Sequence, residues 1–480
     1  MSKLQIFRRY PSLFWIANII ELFERWAWYG FYTGFAIFLV NSADTGALGF
    51  TQPQKGMIMG TGSMLLYLLP IITGAIADKI GYKKVLFLSF LIYFTGFYMI
   101  ISFESFEMVF LSFIWICIGG AWFKPIISAV VARTTDEETS SIGFGIFYMM
   151  VNIGGFIGPF IAGIVMGKSW NYVFYLSMAA IVLNFFITLA FFKEPIVKEA
   201  GSTLGRNILQ AFRNIYITLT NWKYVLFLVI MVLFWTAFNQ LYYSFPVFVE
   251  DWVNSSDLYN ALHSIFPSFA EGIGTNQGTI PSITLVSMDA FFIIAFQLLV
   301  SAFVMRFRPL GAMMGGILVL AGGLGLMFSM NSGWMVLFGV LIFALGEMAS
   351  SPKFTEYIGG IAPEDKKALY MGTSFLPIAA SHTLAGWISG KPYEKMADKI
   401  YLLKEEVAKR GLSVPEISDQ FSKNDYFREA ARQMNLSESQ LTDFLWVNYH
   451  PGQVWMLFAS IAVLATVFLF LYDRFIVPKK

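Results

Sequence analysis

Apolar residues in this chain gather into twelve runs separated by shorter polar breaks. They lie at about 12–40, 55–77, 85–103, 107–132, 142–166, 170–192, 224–248, 282–305, 309–331, 334–358, 369–390 and 449–474. Each reaches or approaches the roughly 20 residues that a helix needs to cross the hydrocarbon core of a bilayer. The pattern predicts an all-α membrane protein with twelve transmembrane helices. The run at 369–390 is the most polar, since it contains His382 and several serines and threonines.

The break between the sixth and seventh runs, 193–222, is more polar, carries mixed charge and includes Gly201-Ser202-Thr203 and Gly205. It divides the chain into two predicted six-helix bundles, 1–192 and 223–480, joined by a linker. Two such halves with a substrate site between them at the midplane form a common transporter plan. Within the linker, Leu204, Ile208, Ala211, Phe212 and Ile215 share one helical face, which suits a helix lying on the membrane. Two longer polar segments interrupt the second half. Residues 249–281 hold Asp251, Asn254-Ser255-Ser256 and Gly272-Ile273-Gly274. Residues 391–448 read as mostly helical, with Glu405, Glu406, Lys409 and Arg410 on exposed turns. These external segments either cap the outer mouth or bind a partner. Asn435-Leu436-Ser437 matches a glycosylation acceptor, a pattern that is frequent by chance.

Composition and charge sharpen this picture. The chain is 57% hydrophobic and only 13% charged, against about 25% charged in soluble domains. A net charge of +2 gives no reason to expect nucleic acid. Basic residues cluster at Lys3, Arg8 and Arg9, at Lys79, Lys83 and Lys84, and at Lys193, Lys198, Arg206 and Arg213. They recur at Arg306 and Arg308, Lys366 and Lys367, and Lys479 and Lys480. All fall on the side of the termini, so the positive-inside rule makes both termini cytoplasmic, in a multi-pass protein of the plasma (inner) membrane. The first apolar run is too long for a signal peptide and no small-residue cleavage site follows it. The single cysteine, Cys117, excludes an internal disulfide. Three well-separated histidines, no metal-ligand cluster and no Ser-His-Asp or Cys-His pattern argue against an enzyme, a metal or a cofactor.

The first run contains the most informative chemistry: Glu21-Leu22-Phe23-Glu24-Arg25-Trp26-Ala27-Trp28-Tyr29. A charge at the bilayer centre costs about 2.5–3.5 kcal/mol even on the mildest scale. Three are tolerable only when paired or facing water. Helical geometry puts Glu21, Glu24, Arg25, Trp28 and Tyr32 on one stripe, with Arg25 one turn after Glu21. The stripe reads as the lining of a polar pathway; the alternative is a salt bridge that fixes helix packing. A carboxylate that takes a proton releases its basic partner, so Glu21, Glu24 and Arg25 are candidates for proton coupling.

Two segments resemble known families. Gly74-Ala75-Ile76-Ala77-Asp78-Lys79-Ile80-Gly81-Tyr82-Lys83-Lys84 resembles the loop after the second helix of the major facilitator superfamily. Gly81 permits a tight turn there, and Asp78 can accept bonds from helix N-termini or basic groups. Glu21-x-x-Glu24-Arg25-Trp26-x-Trp28-Tyr29 resembles the signature of the proton-dependent oligopeptide transporters (POT/PTR), whose members usually carry Phe and Tyr where Trp26 and Trp28 stand. Phe123-Lys124-Pro125, Phe147-Tyr148 with Asn152-Ile153-Gly154, and Phe234-Trp235 to Gln240 are similar to further segments of that family. So are Gly346-Glu347 through Ser351-Pro352, Ala362-Pro363 and Met371-Gly372. The departures make this a divergent member. Tyr32 stands where an Arg is usual, Ile126 replaces an Asn, Asn239 replaces the seventh-helix acid, Asp289-Ala290 replaces Asn-Pro, and Ser374 replaces a Trp.

The resemblance implies a twelve-helix major facilitator fold and a monomeric, proton-coupled importer of di- and tripeptides or peptide-like solutes. The partners implied are a small-molecule substrate, protons and the lipid bilayer. It implies Lys124 for a substrate carboxylate and Glu347 for its ammonium, from opposite halves. Asn152, Asn239, Gln240 and Ser351 supply further hydrogen bonds, and Trp28, Tyr29, Tyr32 and Trp235 wall side-chain pockets. Asp78 becomes a gating residue, and Asp289 a substitute for the missing seventh-helix acid or simply a helix-end residue. His382 is expected to pack through a hydrogen bond rather than titrate. Two alternatives remain open: a non-peptide organic solute, or a transport-deficient sensor or partner-binding protein.

Overall fold

The computed structural model describes residues 7, 9–136, 138–195, 204–363 and 366–477, and among them every regular element is a helix. Lys3, Arg8, Lys198, Lys479, Lys480 and Gly201 to Thr203 lie outside the described residues, as do the side chains of Leu204, Arg206, Ile208 and Ala211.

Helix α1 runs Ser12–Val40. Helix α2, Gln52–Leu68, starts at a capping box in which Thr51 and Gln54 satisfy each other's backbone N–H groups. Pro70, which has no N–H to continue the ladder, separates it from α3, Pro70–Ile80, with a 46° bend. Gly81, at φ +101°, turns the chain into α4, Tyr82–Ser102. Then follow α5 (Phe106–Arg133), α6 (Ser140–Met166) and α7 (Trp170–Phe191). The linker holds α8 (Leu204–Leu219), packed against α3. The second half opens with α9 (Trp222–Tyr243), begun by an Asn221 cap. Three outer helices follow: α10 (Phe245–Trp252), α11 (Ser256–Ile265) and α12 (Pro267–Ile273). The chain re-enters as α13 (Ser282–Val304), α14 (Pro309–Leu326) and α15 (Gly333–Ile361). Next come α16 (Lys367–Thr373) and α17 (Phe375–Ile388), which interrupt each other at Ser374. Four outer helices, α18 (Lys391–Ala397), α19 (Lys399–Lys409), α20 (Lys423–Gln433) and α21 (Glu438–Tyr449), precede the last span, α22 (Gln453–Phe475).

Among the described residues, nine single helices are long and apolar enough to cross a membrane: α4 to α7, α9, α13 to α15 and α22. The bent pair α2–α3 makes a tenth. The 29-residue α1 is long enough but carries three charges, and the polar run at 369–390 is a broken helix. All twelve runs are thus helical in a multi-pass membrane protein. Three boundaries differ from the sequence expectation. The run at 224–248 breaks at Ser244, so its end becomes the outer helix α10. The last run begins at Gln453 because His450, at φ +50°, ends α21. The second run starts at Gln52 and bends at Pro70.

In the first half α1 packs on α6 and α7, and α4 on α5 and α7. In the second, α15 packs on α13 and α14, and α9 on α17 and α22. The two most extensive contacts between the halves are α2 with α17, and α6 with α13. The first is a backbone-to-backbone approach, since a Cβ on Gly56 would lie 2.1 Å from the carbonyl oxygen of Gly386. Helix α8 also touches α16, so the linker reaches both halves.

The outer helices close the face opposite the termini. Lys423 Nζ donates to Val40 O at 2.7 Å and Phe50 O at 3.0 Å, placing a cation at the C-terminus of α1. Gln52 Nε2 donates to Asp398 Oδ2 at 2.7 Å, and the Asn424 backbone N–H donates to Ser42 Oγ at 3.1 Å. On the other side, Trp252 Nε1 donates to Ala397 O and Lys399 Nζ to Asp251 O. The 391–448 segment therefore ties α1 and α2 to α10 around a polar cavity of about 390 Å³. Asn435, at φ +52°, ends α20, which gives that asparagine a local structural role.

Candidate functional site

The charges of α1 form a buried group. Arg25 Nε lies 3.1 Å from Glu21 Oε1, and Arg25 Nη2 meets Glu24 Oε2. Tyr93 on α4 donates its hydroxyl to Glu24 Oε1 at 2.5 Å. All three charged residues are at most 6% exposed. Helix α6 can press against them because Gly154 and Gly158 present no side chain: a Cβ at either would lie within 2.5 Å of a carbonyl oxygen of α1. The expected polar stripe therefore divides. Glu21, Glu24 and Arg25 sit between helices, while Trp28 and Tyr32 reach the central cavity.

That cavity, about 100 Å³, lies between α1, α2 and α6 on one side and α9, α13, α15 and α17 on the other. Trp28, Tyr29, Tyr32, Asn152, Asn239, Asp289 and Glu347 line it, as do Ser63, Tyr67, Tyr242 and His382. It is small beside the roughly 300–1,000 Å³ of common ligand sites, because aromatic rings from both halves meet in it. Tyr242 lies 6.0 Å from Tyr29 and 5.6 Å from Tyr32 between ring centroids. Asp289 is 4% exposed, and its placement in the cavity wall rules out the helix-end reading. His382 Nδ1 is 3.0 Å from the Tyr243 hydroxyl, with Tyr67 stacked on its ring.

Four expected contact residues are placed elsewhere. Lys124 lines a larger opening of about 650 Å³ with Pro125, Ser128, Phe144, Met371 and Phe375. Its Nζ stands 3.7 Å over the centroid of Tyr67, so a tyrosine ring separates it from the cavity. Gln240 is spent on Thr236, Ala385 and Ser244. Trp235 Nε1 and Ser351 Oγ are buried without a hydrogen-bond partner and off the cavity wall. Asn239, where the family's acid is absent, donates to Ser381 Oγ at 3.1 Å and ties α9 to α17. Asn152 donates to Tyr148 O within its own helix.

Asp78 accepts from the Tyr82 hydroxyl at 2.6 Å and from Arg133 at 3.3 Å, both within the first half. The N-terminus of α4 is taken by another residue: Glu194 accepts from the backbone N–H groups of Tyr82 and Lys83 at 2.6 and 2.9 Å. Sequence reasoning missed Glu194 because it lies 112 residues from its partner Tyr82. It also missed Tyr242, although that residue follows Asn239 by three and so shares its face.

The Major Facilitator Superfamily model matches residues 14–376, most of the helical framework. The chain belongs to the major facilitator superfamily. Its relatives within the superfamily include dipeptide and tripeptide permease B of Salmonella typhimurium, 22% identical over 434 residues, covering 79% of this chain and 86% of that one. A di-/tripeptide transporter of Lactococcus lactis subsp. lactis is 28% identical over 246 residues, 49% of this chain and 47% of that one. Among solved structures, a POT peptide transporter in complex with sulfate superposes with TM-score 0.67 at 16% identity, covering 99% and 98% of the two chains. A POT family transporter in complex with 5-aminolevulinic acid gives 0.67 at 17%, covering 97% and 96%. A nucleoside transporter also gives 0.67, at 14%, covering 97% and 100%. The superfamily fold is shared by all three. These relatives include the oligopeptide transporters that the sequence motifs resemble.

Proposed function

We infer that this superfamily member is a proton-coupled importer of di- and tripeptides or peptide-like solutes, working by alternating access. It acts as a monomer in the plasma (inner) membrane with both termini cytoplasmic. One observation carries the reading: a buried cavity between the halves whose wall holds two carboxyl groups. That cavity is sealed outward by α2, α17 and the outer helices, and adjoins the opening at Lys124 on the terminus side. This is the arrangement of an inward-facing carrier. The names of the relatives supply the cargo class. The buried group of Glu21, Glu24 and Arg25 supplies groups able to exchange a proton for an ion pair. Asp78, in the last turn of α3 and not in the loop expected there, acts as a gate among basic residues.

Glu347 receives the peptide ammonium. Lys124, once Tyr67 gives way, receives the carboxylate. Blocked peptides test this in reconstituted vesicles. N-acetylation removes the ammonium and C-amidation the carboxylate. Each leaves a buried protein charge unpaired at about 3–5 kcal/mol, more than a hundredfold in affinity. Lys124→Ala should erase the penalty for amidation. Equal competition by blocked and free peptides would refute the clamp. The small cavity and the equally similar nucleoside transporter favour a non-peptide solute as the second reading in that event.

A further inference from the structure

Asp289 on α13 and Glu347 on α15 face each other within hydrogen-bonding reach at the wall of the central cavity. Oδ1 of Asp289 and Oε2 of Glu347 are each buried without a hydrogen-bond partner. The groups around them are phenols: Tyr29 on α1, Tyr148 on α6 and Tyr242 on α9. Nearby charges are engaged elsewhere. Arg25 is held by Glu21 and Glu24, and Lys353 by Glu356 one turn along α15. Across the cavity Lys124 lies over Tyr67 and His382 meets Tyr243. At the outer ends, Glu250 accepts from Ser282, Lys399 reaches the Asp251 carbonyl, and Asp257 accepts from the Gly333 backbone N–H. Helix α14, packed along α15, carries no ionisable side chain.

Two carboxylates offer only acceptors, so a hydrogen bond between them requires one proton on the pair. Two ionised carboxylates in contact would repel strongly in so dry a place. With one proton the pair carries a single negative charge and keeps oxygen atoms with lone pairs free to accept. An ammonium, with three donors and one positive charge, satisfies those atoms and neutralises the pair.

We propose that Asp289 and Glu347 form a one-proton carboxyl pair that receives the substrate's ammonium and carries a transported proton, beside the group at Glu24. It takes over the task of the seventh-helix acid that Asn239 replaces. The proposal rests on the importer reading and deepens it. The cargo must bear an amine, and the proton and the amine meet at one place. The loaded site is electrically neutral, which lowers the cost of closing water out of it. On the inward-open side the proton leaves a carboxyl oxygen for water, and the ammonium leaves through the opening at Lys124.

The test is Asp289→Asn in proteoliposomes, using a free-amine dipeptide and its N-acetyl form. The asparagine amide donates to Glu347 in place of the shared proton. Counterflow of the free-amine dipeptide should weaken without being lost, its pH dependence should flatten, and accumulation driven by a proton gradient should fall to the level seen without one. Uphill accumulation and a pH profile both unchanged in Asp289→Asn would overturn the proposal. A thermal unfolding curve in detergent checks that the variant is folded. Should it not be, Glu347→Gln serves instead: it should lose the preference for the free amine over the N-acetyl form, and a retained preference overturns the proposal equally. Binding of the same dipeptide, read by isothermal titration calorimetry in detergent, separates the two levels. If the wild type binds and accumulates the dipeptide but neither variant behaves as stated, only the carboxyl pair fails. If the wild type neither binds nor accumulates any peptide, the importer reading fails with it.

Discussion

Glu24 is held from two sides, by the guanidinium of Arg25 on its own helix and by the hydroxyl of Tyr93 on α4. A neutral amide there keeps a hydrogen-bonding group of the same shape but cannot alternate between proton and ion pair. Glu24→Gln is therefore expected to abolish gradient-driven accumulation while counterflow, which needs no net proton movement, partly survives. Uphill uptake at wild-type level would remove Glu24 from the mechanism. At this scale the sequence was informative where partners share a helix. Glu21, Glu24 and Arg25 could be paired from their spacing alone. Tyr93 could not, because its contact depends on how α4 lies against α1. Lys124 shows the same limit, since the Tyr67 ring that occupies its ammonium belongs to a different helix. Trp235 and Ser351 keep unpartnered polar atoms near the site yet stand off its wall, a matter of helix rotation that motif matching does not resolve.

Among the elements, the contact between α2 and α17 decides whether the outer face is shut. Gly56 and Gly386 let two backbones touch, and any side chain at Gly56 would strike the Gly386 carbonyl. Gly56→Leu is expected to force the helices apart. Paired spin labels across the outer face should then report longer distances than in the wild type, and an unchanged distribution would show that the closure does not depend on this approach. The outer helices add a pH-dependent contribution. Burial, and then the neighbouring Asp398, push the Asp251 carboxyl up to about 7, with Lys399 pulling the other way. In an opened, hydrated state that carboxyl returns towards about 3.9. Its contribution to closure is thus complete below that ordinary value and lost as pH rises through about 7. Burial holds Lys399 and Lys423 below the ordinary lysine range, so they act in the opposite sense at more alkaline pH. The same spin-label distances should lengthen between mildly acidic and mildly alkaline buffer, and Asp251→Asn should remove that change. Hydropathy located all twelve apolar runs because a bilayer demands about 20 apolar residues per crossing. It did not show the breaks at Pro70, Ser244 and Ser374 as boundaries, since a kinked helix and a straight one have the same average hydropathy. Nor did it show that 391–448 grips α1 and α2, a packing fact carried by Lys423, Asn424 and Asp398.

At the scale of the whole molecule, two helical halves enclose a polar cavity that is shut on one face and adjoins an opening on the other. Alternating access requires the contacts of α2 with α17, and of the outer helices with α1, to part in the opposite state. Asp78 belongs to the terminus side, where Tyr82, Arg133 and Glu194 fix the turn between α3 and α4 within the first half. Asp78→Asn is expected to slow turnover and shift the balance of states with little change in substrate preference. Unchanged turnover together with unchanged distances across the terminus face would count against a gate. The helical membrane plan was legible in the sequence because run length expresses membrane crossing. The identity of the cargo was not, since Tyr32, Ile126, Asn239 and Ser374 depart from the motif pattern. The most direct test of the account is uptake by purified protein in proteoliposomes, against a di- and tripeptide library, with and without an inward proton gradient. The account predicts that some peptides accumulate above their external concentration only when the gradient is present, and that a protonophore abolishes it. Uptake that merely equilibrates, or that is unaffected by collapse of the gradient, would contradict it.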